Sequence, residues 1–370
     1  MSRDAGGHEP DVPLLWQLDD ERRTFRLGAG EPHATAHAPP PASAAGGPTG
    51  TVTGVVFLAR ADDVEVNAVR RALRGYAVPT VRVSPESARP GLSATAKGLR
   101  FHAGSSAVRP TVVWVRHYSA RARRHPSIAL DRFSDDSWRA LLAGLDRLTD
   151  APVIGAGPGL IQQLDAARRA NVRVPRTVVT SRPAADLHAL PGDSLVVKAV
   201  DRHFVESAPG RLSGIFAQVV PRDAALHWAD SVPVPLILQE YVASDAELRV
   251  YYTKGAQTAY RVVKDAPASP WLDRCRVQVT ACPVPPRVGR TVALLARRMG
   301  LSYAAFDLLM VGDEPVFLEA NADGDWRWYE RLAGDDAVTA AAARMVAGLH
   351  HRSLGPLRAA GPSLLAILGA

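Results

Sequence analysis

Asp307, Glu319 and Asn321 stand at the ends of two apolar runs, FDLLMV and PVFLEAN, joined through Gly312, Asp313 and Glu314. A carboxylate at the close of a buried strand is costly unless a positive or hydrogen-bonding group meets it. With the loop at Gly312 to Glu314, Val311 faces Pro315, Leu309 faces Phe317, and Asp307 falls opposite Glu319, with Asn321 next along the same face. Two carboxylates that close repel unless a cation lies between them. Magnesium suits such a set because it prefers hard oxygen ligands and usually takes one or two carboxylates together with substrate phosphates. The competing reading has both acids capping strand ends or pairing with arginines such as Arg327.

Other residues widen the range of chemistry. Lys198 closes the run LVVK, so a strand would deliver an ammonium to its mouth, where it meets a phosphate as a point charge or simply snorkels to water. Gln239, Glu240, Tyr241 and Val242 end the run LILQEYV and offer backbone donors and acceptors to a purine edge. Glu247 and Arg249, in ELRVYY, pair a carboxylate suited to ribose hydroxyls with a guanidinium suited to phosphate oxygens. Arg116 and His117 end the run TVVWVRH and, with Arg121, Arg123 and Arg124, could read an acidic peptide or form a solvated loop. Trp326 and Trp328 are suited to packing the acid-bearing turn. No Ser-His-Asp or Cys-His set stands out.

The elements that must position these residues follow from periodicity. TVTGVVFLAR, DDVEVNAVRRALRGYAV and PTVRVS read as strand, helix and strand; TVVWVRH adds another strand and Ser137 to Leu148 a helix. After APVIGAGPG come a helix over LIQQLDAARRAN, an extended piece broken by Pro175, the strand SLVVKAV, and the runs IFAQVV and LILQEYV. A hairpin turns at Lys254 and Gly255, a helix over VGRTVALLARRMG stops at Gly300, and the hairpin FDLLMVGDEPVFLEAN precedes a helix from about Asp336 to His350.

Bulk properties narrow the class. The 370 residues are 47% hydrophobic and 22% charged, an ordinary globular composition with room for two or three domains. Cys275 and Cys282 are too few for a disulfide framework or a four-ligand zinc site, which favours a reducing compartment. No apolar run reaches membrane-spanning length and MSRDAGGHEPDV lacks a signal-peptide core, so a cytoplasmic location and no membrane partner are expected. The net charge of +7 invites a nucleic-acid reading. Zinc-finger spacing, an RNA-recognition aromatic pattern and a basic heptad region are all missing, so no nucleic-acid partner is expected.

Taken in order, VPRTVVT, LVVK, a polar Gly-containing loop, LQEYV, ELRVYY, GLSYAAFDLL and FLEAN resemble the ATP-grasp superfamily. Within it, FLEANADGDWRWYE after GLSYAAFDL looks like the ligases of the microviridin or graspetide type, which crosslink ribosomally made peptides. The similarity covers about residues 150 to 350. It implies an α/β (α+β) chain with the ATP-grasp fold and an N-terminal α/β pre-grasp domain. Residues 1–50 would be an extension and an Ala/Pro/Gly linker, 51–150 the N-terminal domain, 151–350 the ATP-grasp domain and 351–370 a flexible tail.

The resemblance also implies roles. Asp307, Glu319 and Asn321 would hold Mg2+; Lys198 and Arg249 would contact ATP phosphates; Gln239 to Val242 would contact adenine, and Glu247 ribose. The stretch Asp201 to Gly214 corresponds to a mobile loop over the phosphates, and Arg274 to a clamp on the activated acid. The cofactors would be ATP and Mg2+. The partner would be a leader-guided precursor peptide with an acidic core, and the enzyme a homo-oligomer. Two departures stand out: Leu160 occupies a position where these ligases commonly carry lysine, leaving Arg168 or Arg169 as substitutes, and Asn-Ala-Asp-Gly replaces Asn-Pro-x-Gly after the acids. The implied reaction is phosphorylation of a carboxylate followed by amide or ester formation. A ligase for free amino acids, a kinase or a weakened peptide-binding module are the other readings of the same residues.

Overall fold

The structure is a computed structural model that describes residues 51–87, 91–95, 98–103, 106–119, 127–201, 204–208, 211–214, 217–226, 234–264 and 277–355. The N-terminal extension, Arg274, Cys275, the basic cluster from Arg121 to His125 and the tail beyond 355 lie outside the described residues.

Buried β-branched runs build the first sheet. Strands β1 (Thr51–Ala59), β2 (Thr80–Val83), β3 (Gly91–Thr95), β4 (Gly98–Ala103), β5 (Ser106–Arg116) and β6 (Val153–Ile154) take the order β2-β1-β5-β4-β3, with β6 against β5. Strand β1 is parallel to β2 and β5, as the right-handed crossover through α1 (Val64–Gly75) requires. Asp63 caps α1 by accepting the Val66 N–H at 2.8 Å. Helix α2 runs from Ile128 to Ala143, starting well before the expected Ser137, because Ser127 caps it through the Leu130 N–H at 3.2 Å. None of its residues is buried, so it carries little amphipathic pattern.

Helix α3 (Leu160–Arg169) leads into an antiparallel sheet of β7 (Thr177–Thr180), β8 (Ser194–Ala199), β11 (Gln218–Pro221) and β12 (Leu236–Glu240), ordered β11-β8-β12-β7. Short helices α4 (Pro183–Asp186) and α5 (Arg222–Leu226) cover its apolar face. Between β8 and β11, β9 (Phe204–Ala208) and β10 (Arg211–Gly214) pair as an antiparallel ribbon within the stretch expected to be a mobile loop.

A five-stranded antiparallel sheet carries the acids. Strands β13 (Ala246–Thr253), β14 (Ala256–Lys264), β15 (Val277–Cys282), β16 (Tyr303–Val311) and β17 (Glu314–Asn321) take the order β15-β14-β13-β16-β17. One face packs Leu248, Val250, Phe306, Leu308 and Phe317 against α3 and α6 (Pro286–Arg298). The other face joins Tyr251, Tyr260, Tyr303 and Trp326 to the first sheet's Phe57 and Trp114, with α7 (Arg327–Ala333) and α8 (Ala337–Ser353) in the same core. The alanine-rich buried surface of α8 allows close approach on several sides. No helix among the described residues is long and apolar enough to cross a membrane.

Candidate active site

Arg249, Asp307 and Glu319 form a row across β13, β16 and β17, each directly opposite the next. The pairing of Asp307 with Glu319 is as expected, but the route to it differs. The turn is Gly312 and Asp313 alone, with Gly312 at φ +58°, so Val311 faces Glu314, Met310 faces Pro315 and Leu308 faces Phe317. A bulge between Asp307 and Leu308 absorbs Leu318 and restores the acid pair.

The row is tightly bonded. Arg249 Nη1 donates to both Asp307 oxygens, at 2.7 and 2.6 Å, and Asn321 Nδ2 donates to Asp307 Oδ2 and Glu319 Oε1, both at 3.1 Å. Burial pushes the Asp307 carboxyl up, Arg249 pulls it back and Glu319 pushes it up again. Burial works against the Arg249 charge, yet Asp307 holds that guanidinium well above the ordinary arginine value. The arginine partner of Asp307 is therefore Arg249; Arg327 pairs instead with Glu330 and Asp336, each at 2.6 Å.

Among the described residues, no group of three or more His, Cys, Asp or Glu side chains could hold a metal ion. A cation here would rest on two carboxylates and the amide oxygen of Asn321, which faces them once its amide is turned over. The two amide hydrogens now bridging the acids mark where positive charge is favoured. So sparse a protein set fits an ion that keeps further oxygen positions for phosphates and water.

Gln163, on α3, holds this edge in place. Its amide accepts from the Ala320 N–H at 2.7 Å and donates to the Ala320 carbonyl at 2.9 Å and the Pro158 carbonyl at 2.8 Å. Strand β17 is the sheet's edge, and Gln163 satisfies the backbone of the residue between Glu319 and Asn321. Leu160 and Leu164 share the buried side of α3, while Arg168 and Arg169 are exposed and Arg169 pairs with Asp165 at 2.8 Å. Leucine at 160 is thus a core residue, and the two arginines offered as substitutes face away from that core.

The remaining candidates lie on the strands around this row. The side chain of Lys198, a residue only 6% exposed, makes no hydrogen bond or ion pair with another described residue. It sits opposite Ile237 in the β8–β12 pairing and so shares a face with Gln239. Gln239 Nε2 donates to Thr177 Oγ1 at 3.0 Å, and Glu240 ties β12 to the Arg176 backbone through its own N–H and its Oε1, both at 3.0 Å. The Tyr241 N–H reaches the Ser194 carbonyl at 3.4 Å, and Val242 follows half-buried. Glu247 Oε1 accepts from Lys264 at 2.9 Å, while its buried Oε2 has no partner among the described residues. No hydrogen bond among the described residues ties Lys198 or Gln239 to the Arg249–Asp307–Glu319 row.

Arg116 and His117 do not face outward to a peptide. Arg116 is fully buried at the end of β5, where its Nε reaches Asp63 Oδ2 at 3.3 Å, Nη1 the Gly324 carbonyl at 3.2 Å and Nη2 Asp325 Oδ1 at 2.6 Å. Its guanidinium also lies 4.8 Å from the centre of the Trp326 ring. His117, at φ +44°, sets Nε2 2.8 Å from Asp325 Oδ1 and Nδ1 3.5 Å from Asp323 Oδ2. Burial opposes its charge, but Asp325 and then Asp323 push its pKa up to about 9. Burial equally opposes ionisation of Asp325, yet His117 and then Arg116 hold it well below the usual carboxylate range. Tyr303 and Tyr251 donate to the carbonyls of Gly324 and Asp325 at 2.6 and 2.5 Å, and Glu65 accepts the Trp326 and Arg327 N–H groups that open α7. The acidic turn after Asn321 is thus gripped from the first sheet. Trp326 is wholly buried, stacked on Trp114 and hydrogen-bonded to Thr339, a packing role.

No protein-family model matches this sequence, and no curated protein does. Solved structures do. The chain is similar to the ATP-grasp ligase PsnB complexed with a minimal precursor, with a TM-score of 0.62 over 80% of this chain and 99% of that one at 20% identity. This chain has the ATP-grasp fold. The macrocyclase MdnC of Microcystis aeruginosa MRC, bound with precursor peptide MdnA, gives 0.62 over 80% and 99% of the chains at 17% identity. A RiPP-associated ATP-grasp ligase of Chryseobacterium gregarium, in complex with ADP and a leader and core peptide, gives 0.61 over 80% and 97% at 16% identity.

Proposed function

We propose that the chain is an ATP-dependent ligase that activates Asp or Glu side chains of a ribosomally made precursor peptide and closes them onto hydroxyl or amine groups as ester or amide crosslinks. The observation that carries this reading is the pairing of buried Asp307 with half-buried Glu319, with Asn321 bridging them and Arg249 completing the row. Support comes from two groups suited to ATP that have no side-chain partner among the described residues: the Lys198 ammonium for a phosphate and the buried Glu247 Oε2 for a ribose hydroxyl. Further support is that PsnB has been solved with a phosphomimetic precursor variant, Mg and ADP, and also with a precursor peptide and AMPPNP.

In this reading Asp307, Glu319 and Asn321 would hold Mg2+, which when bound neutralises charge on the ATP phosphates. Lys198 supplies a fixed positive charge to the transferring phosphoryl group, and Gln239 to Val242 present polar strand-end groups to the base. A carboxylate oxygen of the peptide attacks the terminal phosphorus as the bond to ADP breaks. The acceptor oxygen or nitrogen then attacks the acyl carbon, phosphate departs with its oxygen, and the acceptor's proton passes to solvent. Arg249 offsets the Asp307 charge through its two hydrogen bonds, and Gln163 fixes the strand on which Glu319 and Asn321 ride. Positioning of this kind, rather than covalent work by the protein, supplies most of the rate.

The test is incubation of the purified protein with Mg-ATP and acidic peptides encoded beside its gene, with Glu319→Gln as control. Loss of one water per crosslink, matched by ADP and phosphate and absent in the variant, is the expected result. ADP formation without a mass change in any peptide would instead favour a small-molecule carboxylate as substrate, and absence of ATP binding would overturn the reading.

A further inference from the structure

Away from the acid row, arginines gather where α1 faces the edge strand β2. Asn67, Arg70, Arg71, Arg74 and Thr80 line a pocket there of about 340 Å³. Arg70 is held in place, since its Nε donates to Thr80 Oγ1 at 3.1 Å. Arg82 extends the same edge: its Nη2 donates to Asn67 Oδ1 at 2.6 Å and its Nη1 to the Ala61 carbonyl.

What marks this group is that three arginines of one helix line a single pocket. On other helices Arg139 is answered at helical spacing by Asp135 and Arg169 by Asp165. Among the described residues no carboxylate pairs with Arg70, Arg71 or Arg74. Glu86, which attracts Arg82, is engaged by Arg60 at 3.3 Å. Burial and then the Arg74 charge push Arg70 below the ordinary arginine value; burial and then Arg70 do the same to Arg82. Guanidiniums crowded in this way gain from an oxyanion, whose oxygens take up their forked donors.

We propose that this pocket between α1 and β2 is an oxyanion-binding site, separate from the acid row, that takes a phosphoryl group or neighbouring carboxylates. Arg70 and Thr80 form its floor; Arg71 and Arg74 are exposed and close over the anion from the helix. The site does not depend on the ligase reading, because none of its residues belongs to the row or to the Lys198 strand.

Isothermal titration of the full chain with inorganic pyrophosphate and, separately, with a short oligoglutamate peptide tests it. The wild type is compared with Arg71→Glu, Arg74→Gln and Lys198→Met, each checked by thermal unfolding. The two pocket variants alter exposed side chains and keep the fold. Binding weakened at least about tenfold in Arg71→Glu and Arg74→Gln, and unchanged in Lys198→Met, is the expected result. Binding of pyrophosphate alone assigns a phosphoryl ligand, and binding of oligoglutamate assigns acidic side chains of a peptide. No binding of either probe, or binding lost in Lys198→Met and kept in both pocket variants, would overturn the proposal.

Discussion

Replacing His117 with asparagine should remove a pH-dependent part of the stability of this protein. Asparagine tolerates the left-handed backbone at this position, φ +44°, so the change acts on charge rather than on conformation. In the folded chain burial opposes the imidazolium, but Asp325 at 2.8 Å and Asp323 at 3.5 Å raise its pKa from 6.5 to about 9. At about 1.4 kcal/mol for each pH unit, that rise is worth about 3 kcal/mol. The ring keeps 28% of its surface in solvent, and screening trims the measurable part to about 2–3 kcal/mol. The sign follows from a folded pKa above the unfolded one: the contribution is full below pH 6.5 and is lost as the pH rises through about 9. His350, which burial and then His351 push down, is common to both proteins and cancels in the comparison. Urea unfolding of wild type and His117→Asn at steps from pH 6 to pH 10 reads the effect directly. The stability gap between the two should be widest at the acid end and should close by about 2–3 kcal/mol across the range. A gap that stays constant, or widens with pH, would refute the pairing of His117 with Asp325.

Gln163→Leu keeps the size of the side chain but leaves the Ala320 N–H and carbonyl without their partner; a loss of about 2–4 kcal/mol in urea unfolding is expected, with weaker ATP binding as β17 loosens. Arg249→Met leaves the Asp307 carboxylate buried beside Glu319, and should cost about 3–5 kcal/mol, part of which Asp307→Asn restores in the double variant. In Gly324→Ala the new Cβ would stand 2.6 Å from the Ala305 Cβ and 2.9 Å from Arg249 Nη2, so the turn must shift; calorimetry should show a lower Tm, and Mg-ATP turnover should fall with it.

How much of this was legible in the sequence depended on how far apart the partners lie. The acid pair could be read because Asp307 and Glu319 close two strands of one hairpin, where alternation and a short turn fix which residues meet. The assumed turn was one residue too long, and a bulge at Leu318, which leaves no compositional mark, cancelled the error. Lys198, Gln239 and Glu247 were legible as polar residues in otherwise apolar strands, although Glu247 answers Lys264 with one oxygen and Gln239 answers Thr177. The grip of Arg116 and His117 on Asp325 was not legible, since contacts between strand ends so distant in the chain leave no period. Those two residues instead invited the thought of an external acidic partner, and the acids that answer them are the chain's own. Gln163 hid for the same reason: a glutamine on a helix shows nothing of the strand it clips. Helix α2 was misplaced at its start because only the Ser127 cap marked it, with no buried stripe to support the reading.

The aromatic core that joins Phe57 and Trp114 to Tyr251, Tyr303 and Trp326 bears on how such a chain can be inherited. A fragment beginning after β6 would present the faces of Tyr303 and Trp326 to water, along with the α8 side chains that share their cluster, and would leave the Asp325 carboxylate without Arg116. Splitting the gene at that point, or grafting a foreign leading segment onto the acid-bearing sheet, should therefore yield insoluble product unless the graft brings its own tryptophan and arginine.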